Sequence, residues 1–534
     1  MPRACRFASA KTTHPVHTAP GGGVNRRGAT GFHASVPHPP RPAPVGQPRT
    51  AMTPTRCLTL LLLACLLAAC ARNPVTGKRE LAIDEDKEIA MGAAYDPQIV
   101  ATMGLYEDPD LERFLEGLGQ RMAAVSHRPD LDWHFRIVDS DVVNAFAVPG
   151  GYVYFTRGIL AHFSNEAELA GVLGHEIGHV TARHTARQIQ KQRLAQVGMV
   201  AGAIAVPTIA QNFEAVNQGM QLLFLKYGRD AESESDALGV EYSTELDFDA
   251  KQMAKFFQTI GRLQAQSGAE IPTFLSTHPD PANREQRVRR LAQEWQAKLP
   301  GEESTVNRDG YLALIDGIIY GEDPKQGFTE NGKFYHPVLK FVFDVPNRWQ
   351  LANSPQQVQM ASPQGDAVVS FTLAQGGSPE AAAQQWAQQN QVQPSRGGAT
   401  TVNGMPAYVV SGATQGGQTQ QGQQPPLAYT ATFVSYGGNV YNFTEITLAS
   451  KLRANQAALG RPVGSFRALT DPTYLNREPE RVRIESVPST QTLRAFLTSR
   501  GTPSNRLQEL AILNGFELDT TLKAGTKVKV VARS

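Results

Sequence analysis

The chain has 534 residues, 41% of them hydrophobic and 19% charged, which fits a folded soluble protein of two to four domains. Its formal charge of +2 hides an asymmetry: eight of the 51 Lys and Arg precede Cys70, leaving 43 against all 49 Asp and Glu, a net of −6 for the rest. So mildly acidic a body excludes nucleic acid as a partner on electrostatic grounds. The cysteines are Cys5, Cys57, Cys65 and Cys70, so beyond Cys70 there is neither a disulfide nor a Cys-type zinc site.

Residues 1–51 are rich in Pro, Gly and His and show no apolar period. They read as a disordered upstream extension outside the fold, and the irregular spacing of His14, His17, His33 and His38 argues against a metal tract. Residues 52–70 run MTPTRCLTLLLLACLLAAC: Arg56, then an apolar run over Leu58–Leu67, then small residues, the pattern of a secretory signal and too short to span a bilayer comfortably. Leu67-Ala68-Ala69-Cys70 resembles the lipobox of bacterial lipoproteins. That resemblance implies acylation of Cys70 and a lipid anchor in the membrane, in the periplasm; Ala71 in place of Asp favours the outer membrane.

Residues 71–300 mix helical periods with one hairpin. Ala145-Phe146-Ala147-Val148, Pro149-Gly150-Gly151 and Tyr152-Val153-Tyr154-Phe155 read strand, turn, strand. A helix follows, opened by Asn165 with Glu168 three residues on, and striped by Leu169, Val172, Leu173, Ile177 and Val180. That helix carries Gly174-His175-Glu176-Ile177-Gly178-His179. Residues four apart share a helix face, so His175 and His179 can bind one zinc ion, and Glu176 beside them can reach the attacking water as general base. HExxH alone arises by chance on the order of once in a hundred chains of this length, so its context decides. His184 is not read as a third ligand: it follows His179 by five residues where a metzincin needs six, with Ala182 where the turning Gly belongs; Arg183-His184 reads instead as a brace of the helix end. The segment 194–210 is the most apolar of the body and reads as a buried helical hairpin beside the site, being broken by Pro207. Further on, Glu232 and Asp236 lie one turn apart on a second helix. Glu232 completes a His₂Glu zinc site with an open position, and Asp236 is placed to orient a ligand histidine or to take part in catalysis.

Together these residues resemble the zinc peptidase family of the HtpX heat-shock protease and the CAAX prenyl proteases, nearest its periplasmic β-barrel assembly-enhancing branch. The resemblance covers about residues 71–295. It includes Asn73-Pro74-Val75-Thr76-Gly77-Lys78, Asn144-Ala145-Phe146-Ala147 with Pro149-Gly150-Gly151, the HExxH and the Glu232/Asp236 pair. It implies a mainly helical gluzincin domain, one zinc per chain, and endopeptidase action on unfolded or misassembled envelope proteins, with the outer-membrane assembly machinery as a further partner. Ser276-Thr277-His278-Pro279-Asp280-Pro281-Ala282-Asn283-Arg284 resembles a loop of that branch whose histidine caps the zinc, which makes His278 a regulatory ligand. No 34-residue helical repeats are visible.

From 301 to 480 the pattern changes to strands at Val338–Val345, Ala367–Leu373, Ala407–Ser411, Tyr429–Tyr436 and Val440–Ile446. One helix opens at Ser378-Pro379, and Gly412–Pro426 reads as a mobile Gly/Gln-rich loop. This is an α+β accessory domain. Residues 481–534 read strand, helix, helix, strand and resemble a degenerate LysM module, with Thr490-Gln491-Thr492-Leu493 where its Gly-Asp-Thr-Leu opening stands. The whole is thus α+β: extension 1–51, signal 52–70, peptidase 71–300, accessory 301–480, LysM-like 481–534. Two other classes fit the same chain. One is an envelope chaperone or scaffold lipoprotein with incidental proteolysis, which would keep its function in Glu176→Gln. The other is a cell-wall-binding lipoprotein, which would bring down peptidoglycan through residues 482–534.

Overall fold

The computed structural model describes residues 70–81, 83–198, 227–267, 273–278, 281–298, 304–419 and 422–533. The expected extension, the signal up to Ala69 and the apolar segment beyond Gly198 lie outside the described residues. All described residues fall in one of the two compact units into which the chain divides, 62–534.

β1 (Cys70–Arg72) and β2 (Arg79–Leu81) form an antiparallel pair. The Asn73 carboxamide closes their turn by accepting from the Val75 and Thr76 amides at 2.9 and 3.1 Å, a side-chain mimic of a backbone turn. α1 (Glu85–Met103) is capped by Asp84, and α2 (Pro109–Ala124) by Asp108 with Pro109 at its first position. Next come β3 (His134–Val138), β4 (Ala145–Val148) and β5 (Tyr152–Thr156). β4 and β5 make the expected antiparallel hairpin, and β3 runs parallel to β5 on its other side. β4 is thereby one of the two edge strands of this sheet. Its turn demands glycine: Gly150 and Gly151 have φ of +85° and +96°, and a Cβ on Gly151 would sit 2.4 Å from the Asp132 carbonyl.

α3 (Arg157–His162) leads into α4 (Glu166–Thr181), whose residues are all buried. Asn165 caps it, accepting from the Glu168 amide at 2.9 Å. The Glu168 carboxylate reaches back to the Ser164 amide at 2.8 Å, one residue earlier than a standard capping box. α5 (His184–Gly198) follows at once, because Arg183 adopts φ +58° and reverses the chain. α6 (Arg229–Glu245), α7 (Gln252–Ser267), α8 (Thr273–Thr277), α9 (Pro281–Gln296) and α10 (Arg308–Leu314) complete the helical layer. α4 and α6 cross over small residues. A Cβ on Gly174 would lie 3.0 Å from the Gly239 Cα, and one on Gly178 would lie 3.2 Å from the Ser235 Cα. That close approach is what brings the acids of α6 to the histidines of α4.

β6 (Ile319–Tyr320) precedes a four-stranded sheet of β7 (Phe328–Glu330), β8 (Lys333–His336) and β9 (Phe341–Asp344), closed later by β19 (Arg467–Ala468). The strand expected over Val338–Val345 starts three residues later. Val338 is 61% exposed in the turn before it. The main accessory sheet has β10 (Gln350–Asn353), β11 (Gln357–Ala361), β12 (Ala367–Leu373), β13 (Arg396–Val402), β14 (Met405–Ala413), β17 (Leu427–Tyr436) and β18 (Asn439–Leu448). Its order is β10-β11-β12-β18-β17-β14-β13. The expected loop over Gly412–Pro426 instead continues β14 to Ala413 and forms a two-stranded ladder, β15 (Gly417–Thr419) with β16 (Gly422–Gln424). α11 (Pro379–Gln389), capped by Ser378, covers part of one sheet face. Phe343, Phe371, Tyr441, Phe443 and Phe466 fill the other.

β20 (Glu480–Ser486), α12 (Leu493–Ser499), α13 (Leu507–Leu513) and β21 (Lys527–Arg533) form a strand–helix–helix–strand unit, with β6 added to its sheet. Leu493, Phe496, Leu510 and Val528 belong to the same apolar core as Leu169, Leu173 and Ile177 of α4. Lys529 is 1% exposed and donates to the carbonyls of Ala161, Phe163 and Leu513 at 2.8, 2.6 and 2.9 Å. Three carbonyls use all three hydrogens of an ammonium. The C-terminal unit is therefore fastened to the segment that enters α4.

Candidate active site

One turn of α4 separates His175 from His179, and their Nε2 atoms lie 3.0 Å apart. Glu232 of α6 places Oε1 at 3.5 Å from His179 Nε2 and Oε2 at 3.7 Å from His175 Nε2. His278, just after α8, sets Nδ1 at 3.1 Å from Glu232 Oε1 and 3.3 Å from His175 Nε2. These four residues are buried, and their donor atoms all lie within 4.8 Å of one another.

The outer nitrogens fix the tautomers. His175 Nδ1 sits 3.1 Å from Asp236 Oδ1. His179 Nδ1 meets His184 Nδ1 at 2.9 Å, and His184 Nε2 meets Glu234 Oε2 at 2.9 Å. The consistent assignment has His175 donating to Asp236, His179 donating to His184, and His184 donating to Glu234. Both inner Nε2 atoms are then bare lone pairs facing each other and a carboxylate with no proton between them, an arrangement that a cation resolves. Tetrahedral zinc with bonds near 2.0–2.1 Å holds its nitrogens about 3.3 Å apart, close to the spacing found. The donor set therefore fits zinc.

Electrostatics agree. Burial, with Arg284 nearby, lowers His175 to about 4 and keeps it neutral, and burial takes His179 well below its usual range. For Glu232 burial works against ionisation, yet His278 and Arg284 hold it well below the usual carboxylate range. Burial likewise opposes ionisation of Asp236, and Arg284 and His175 overcome it. Glu176 is pushed up to about 7 by burial. Both its carboxyl oxygens are buried without a hydrogen-bond partner, beside the donor cluster and 3.6 Å from His278 Nε2.

Of the residues expected from sequence, His175, His179, Glu232 and His278 converge, and Glu176 adjoins them. Asp236 reaches His175 but stands outside the donor cluster, enclosed by Arg284 at 2.6 Å and by Arg287. This is an orienting position, away from the reacting atoms. Cys70 opens β1. Four contributors were not assigned from sequence. Arg284 of α9 bridges Glu232 at 2.9 Å and Asp236 at 2.6 Å, with its guanidinium 4.3 Å over Phe257. Arg287 adds a second cation at Asp236. Tyr227 stacks on His179, centroids 4.0 Å apart, and its hydroxyl meets Thr185 Oγ1 at 2.7 Å. His184 is the orienting partner of His179. The helix end is braced as well: buried Glu88 pairs with Arg128 at 2.8 Å and Arg183 at 2.7 Å, and Arg128 donates to the Val180 carbonyl.

Two histidines and a glutamate around one centre, with an unpartnered glutamate beside it, define a zinc metallopeptidase domain of the HExxH class. Residues 109–292 match Peptidase family M48, a zinc-dependent family. Among curated relatives, the chain is 32% identical over 217 residues to a β-barrel assembly-enhancing protease of Yersinia pestis, covering 39% of this chain and 44% of that one. It is 29% identical over 283 residues to the protein of that name from Escherichia coli (strain K12), covering 51% and 54%. It is 32% identical over 158 residues to the mitochondrial metalloendopeptidase OMA1 of Arabidopsis thaliana, covering 29% and 31%. The chain thus spans about half the length, or less, of the relatives it matches. Among the described residues no helix is long and apolar enough to cross a membrane.

Proposed function

We propose that this chain is a zinc-dependent endopeptidase of the bacterial envelope that hydrolyses misfolded or misassembled envelope proteins. The observation that carries the chemistry is the convergence of three proton-free donors next to a buried carboxyl group with no partner. The names of the assembly-enhancing relatives supply the substrate class and point to the outer-membrane assembly machinery. Bound zinc would polarise the scissile carbonyl and acidify the attacking water. Glu176 takes the water proton and hands it to the leaving amine. Burial, which raises its pKa, helps it hold that proton until the amine leaves. His175, His179 and Glu232 hold the metal, while Asp236 and His184 keep the two imidazoles aimed. β4 lies against α4 with a free edge. It pairs with the substrate backbone through main-chain hydrogen bonds, which read little sequence. Acyl chains on Cys70 hold the body at the periplasmic face of the outer membrane. His278 fills the position that water needs and keeps the resting enzyme latent.

The test is zinc content and cleavage of an unfolded substrate by the purified chain, side by side with Glu176→Gln. Stoichiometric zinc in both and cleavage only by the first is expected. A zinc-free wild type, or cleavage by the variant, overturns the reading.

A further inference from the structure

Three neighbouring strands of the accessory sheet place polar side chains in register. Gln359 pairs with Ser370 and Ser370 with Thr444; Gln357 pairs with Thr372 and Thr372 with Asn442. Directly paired residues share a sheet face, so these six form a grid two deep and three wide. The opposite face at the same strands is the aromatic core of Phe371, Tyr441 and Phe443. A polar face is ordinarily open to water. This one is the floor of a cleft of about 700 Å³, walled by the end of α11 with Trp386, by Tyr429 and by Thr102 of α1. Such a volume is typical of a small-ligand site. Ser370, Asn442 and Thr444 are buried. Asn442 and Thr444 already bond each other at 3.0 and 3.2 Å. Tyr429 lines the cleft with its Oη buried and without a partner.

The lining selects the ligand. No Asp, Glu, Lys, Arg or His lines the cleft among the described residues, so a charged ligand would be buried without a counter-charge. A purely apolar ligand would strip water from six amides and hydroxyls and return nothing. An extended peptide is usually captured by the unpaired backbone of a sheet edge. Here the floor is a sheet face, and the backbone of β12 and β18 is paired on both sides. What remains is a neutral molecule dense in hydroxyls with apolar C–H faces for the Trp386 and Tyr429 rings, which lie 5.8 Å apart. We propose that this cleft of the accessory domain is a binding site for a neutral oligosaccharide, separate from the zinc centre and independent of its activity.

The test applies the full chain to an array of neutral and acidic glycans, then titrates the strongest neutral binder by calorimetry into wild type, Tyr429→Phe and Thr444→Val. Each variant removes hydrogen bonding and little volume, so the fold is retained. Kd should rise about three- to tenfold in each, the worth of one hydrogen bond, while cleavage of an unfolded substrate stays at the wild-type rate. The proposal is overturned if no neutral glycan binds, if both variants bind as tightly as wild type, or if only acidic glycans or an unfolded peptide compete for the cleft.

Discussion

Two interiors of this chain bury polar side chains, and they follow opposite rules. Around α4 and α6 the buried polar groups are mostly ionisable: Glu88, Arg128, Arg183, Glu232, Asp236 and Arg284 are each at most 6% exposed. In the accessory cleft the lining groups are neutral. A buried charge left alone costs several kcal/mol, so Glu88, Glu232 and Asp236 are each closed by an arginine. A neutral hydroxyl or amide left alone costs about 1–3 kcal/mol, which a sheet held by its aromatic core tolerates. The first interior is therefore all-or-none and the second forgiving. Charge obliges a site to be complete before it is stable; neutrality lets a site wait for its ligand.

The sharpest way to break this contrast is to remove one member of the charged interior. His175→Ala, His179→Ala or Glu232→Ala should each lose stoichiometric zinc and all measurable cleavage. Full zinc occupancy in Glu232→Ala would remove it from the ligand set. Glu176→Gln should keep zinc and lose about a thousandfold or more in turnover, within the range for loss of a general base. Its thermal midpoint should not fall, because the carboxyl group it replaces has no partner. Lys529→Met strips three carbonyls of their donor and should cost about 3 kcal/mol in urea unfolding. A loss under about 1 kcal/mol would mean that the C-terminal unit merely rests on the peptidase core. His278→Ala should raise basal cleavage several-fold if the imidazole only plugs the site, and lower it if the same ring also steadies the oxyanion. Unchanged kinetics in that variant rule out both roles. At the small end, Tyr429→Phe removes a hydroxyl that has no partner and should shift unfolding by less than about 1 kcal/mol. A loss as large as that of Lys529→Met would erase the contrast between the two interiors.

What could be read from sequence followed from local periodicity. HExxH, its Asn165 cap and the Glu232/Asp236 step all lie within single helical turns. The β4–β5 hairpin was legible because Pro149-Gly150-Gly151 allows little else. Arg284 was not, because its partners are 48 and 52 positions away and only the packing of α9 on α6 joins them. His184 was rejected as a ligand and read, with Arg183, as a brace of the helix end. Its spacing of five excludes the ligand role yet suits an orienting one once Arg183 turns the chain. The polar grid was invisible for a different reason: alternating Gln, Ser, Thr and Asn reads as an ordinary solvated strand face until the strand register is known. Val338 misled because an exposed valine before a turn looks like the start of a strand.

The lysine that holds the C-terminal unit also sets a clock. Its bonds to Ala161 and Phe163 span 368 and 366 positions, so the carbonyls at the entrance to the catalytic helix lack this donor until residue 529 has been synthesised. Long-range closures of this kind are slow and come late in folding. The partners that aim the histidines, Asp236, His184 and Glu234, all come earlier in the chain, so what residue 529 adds last is the tie at the entrance to their helix.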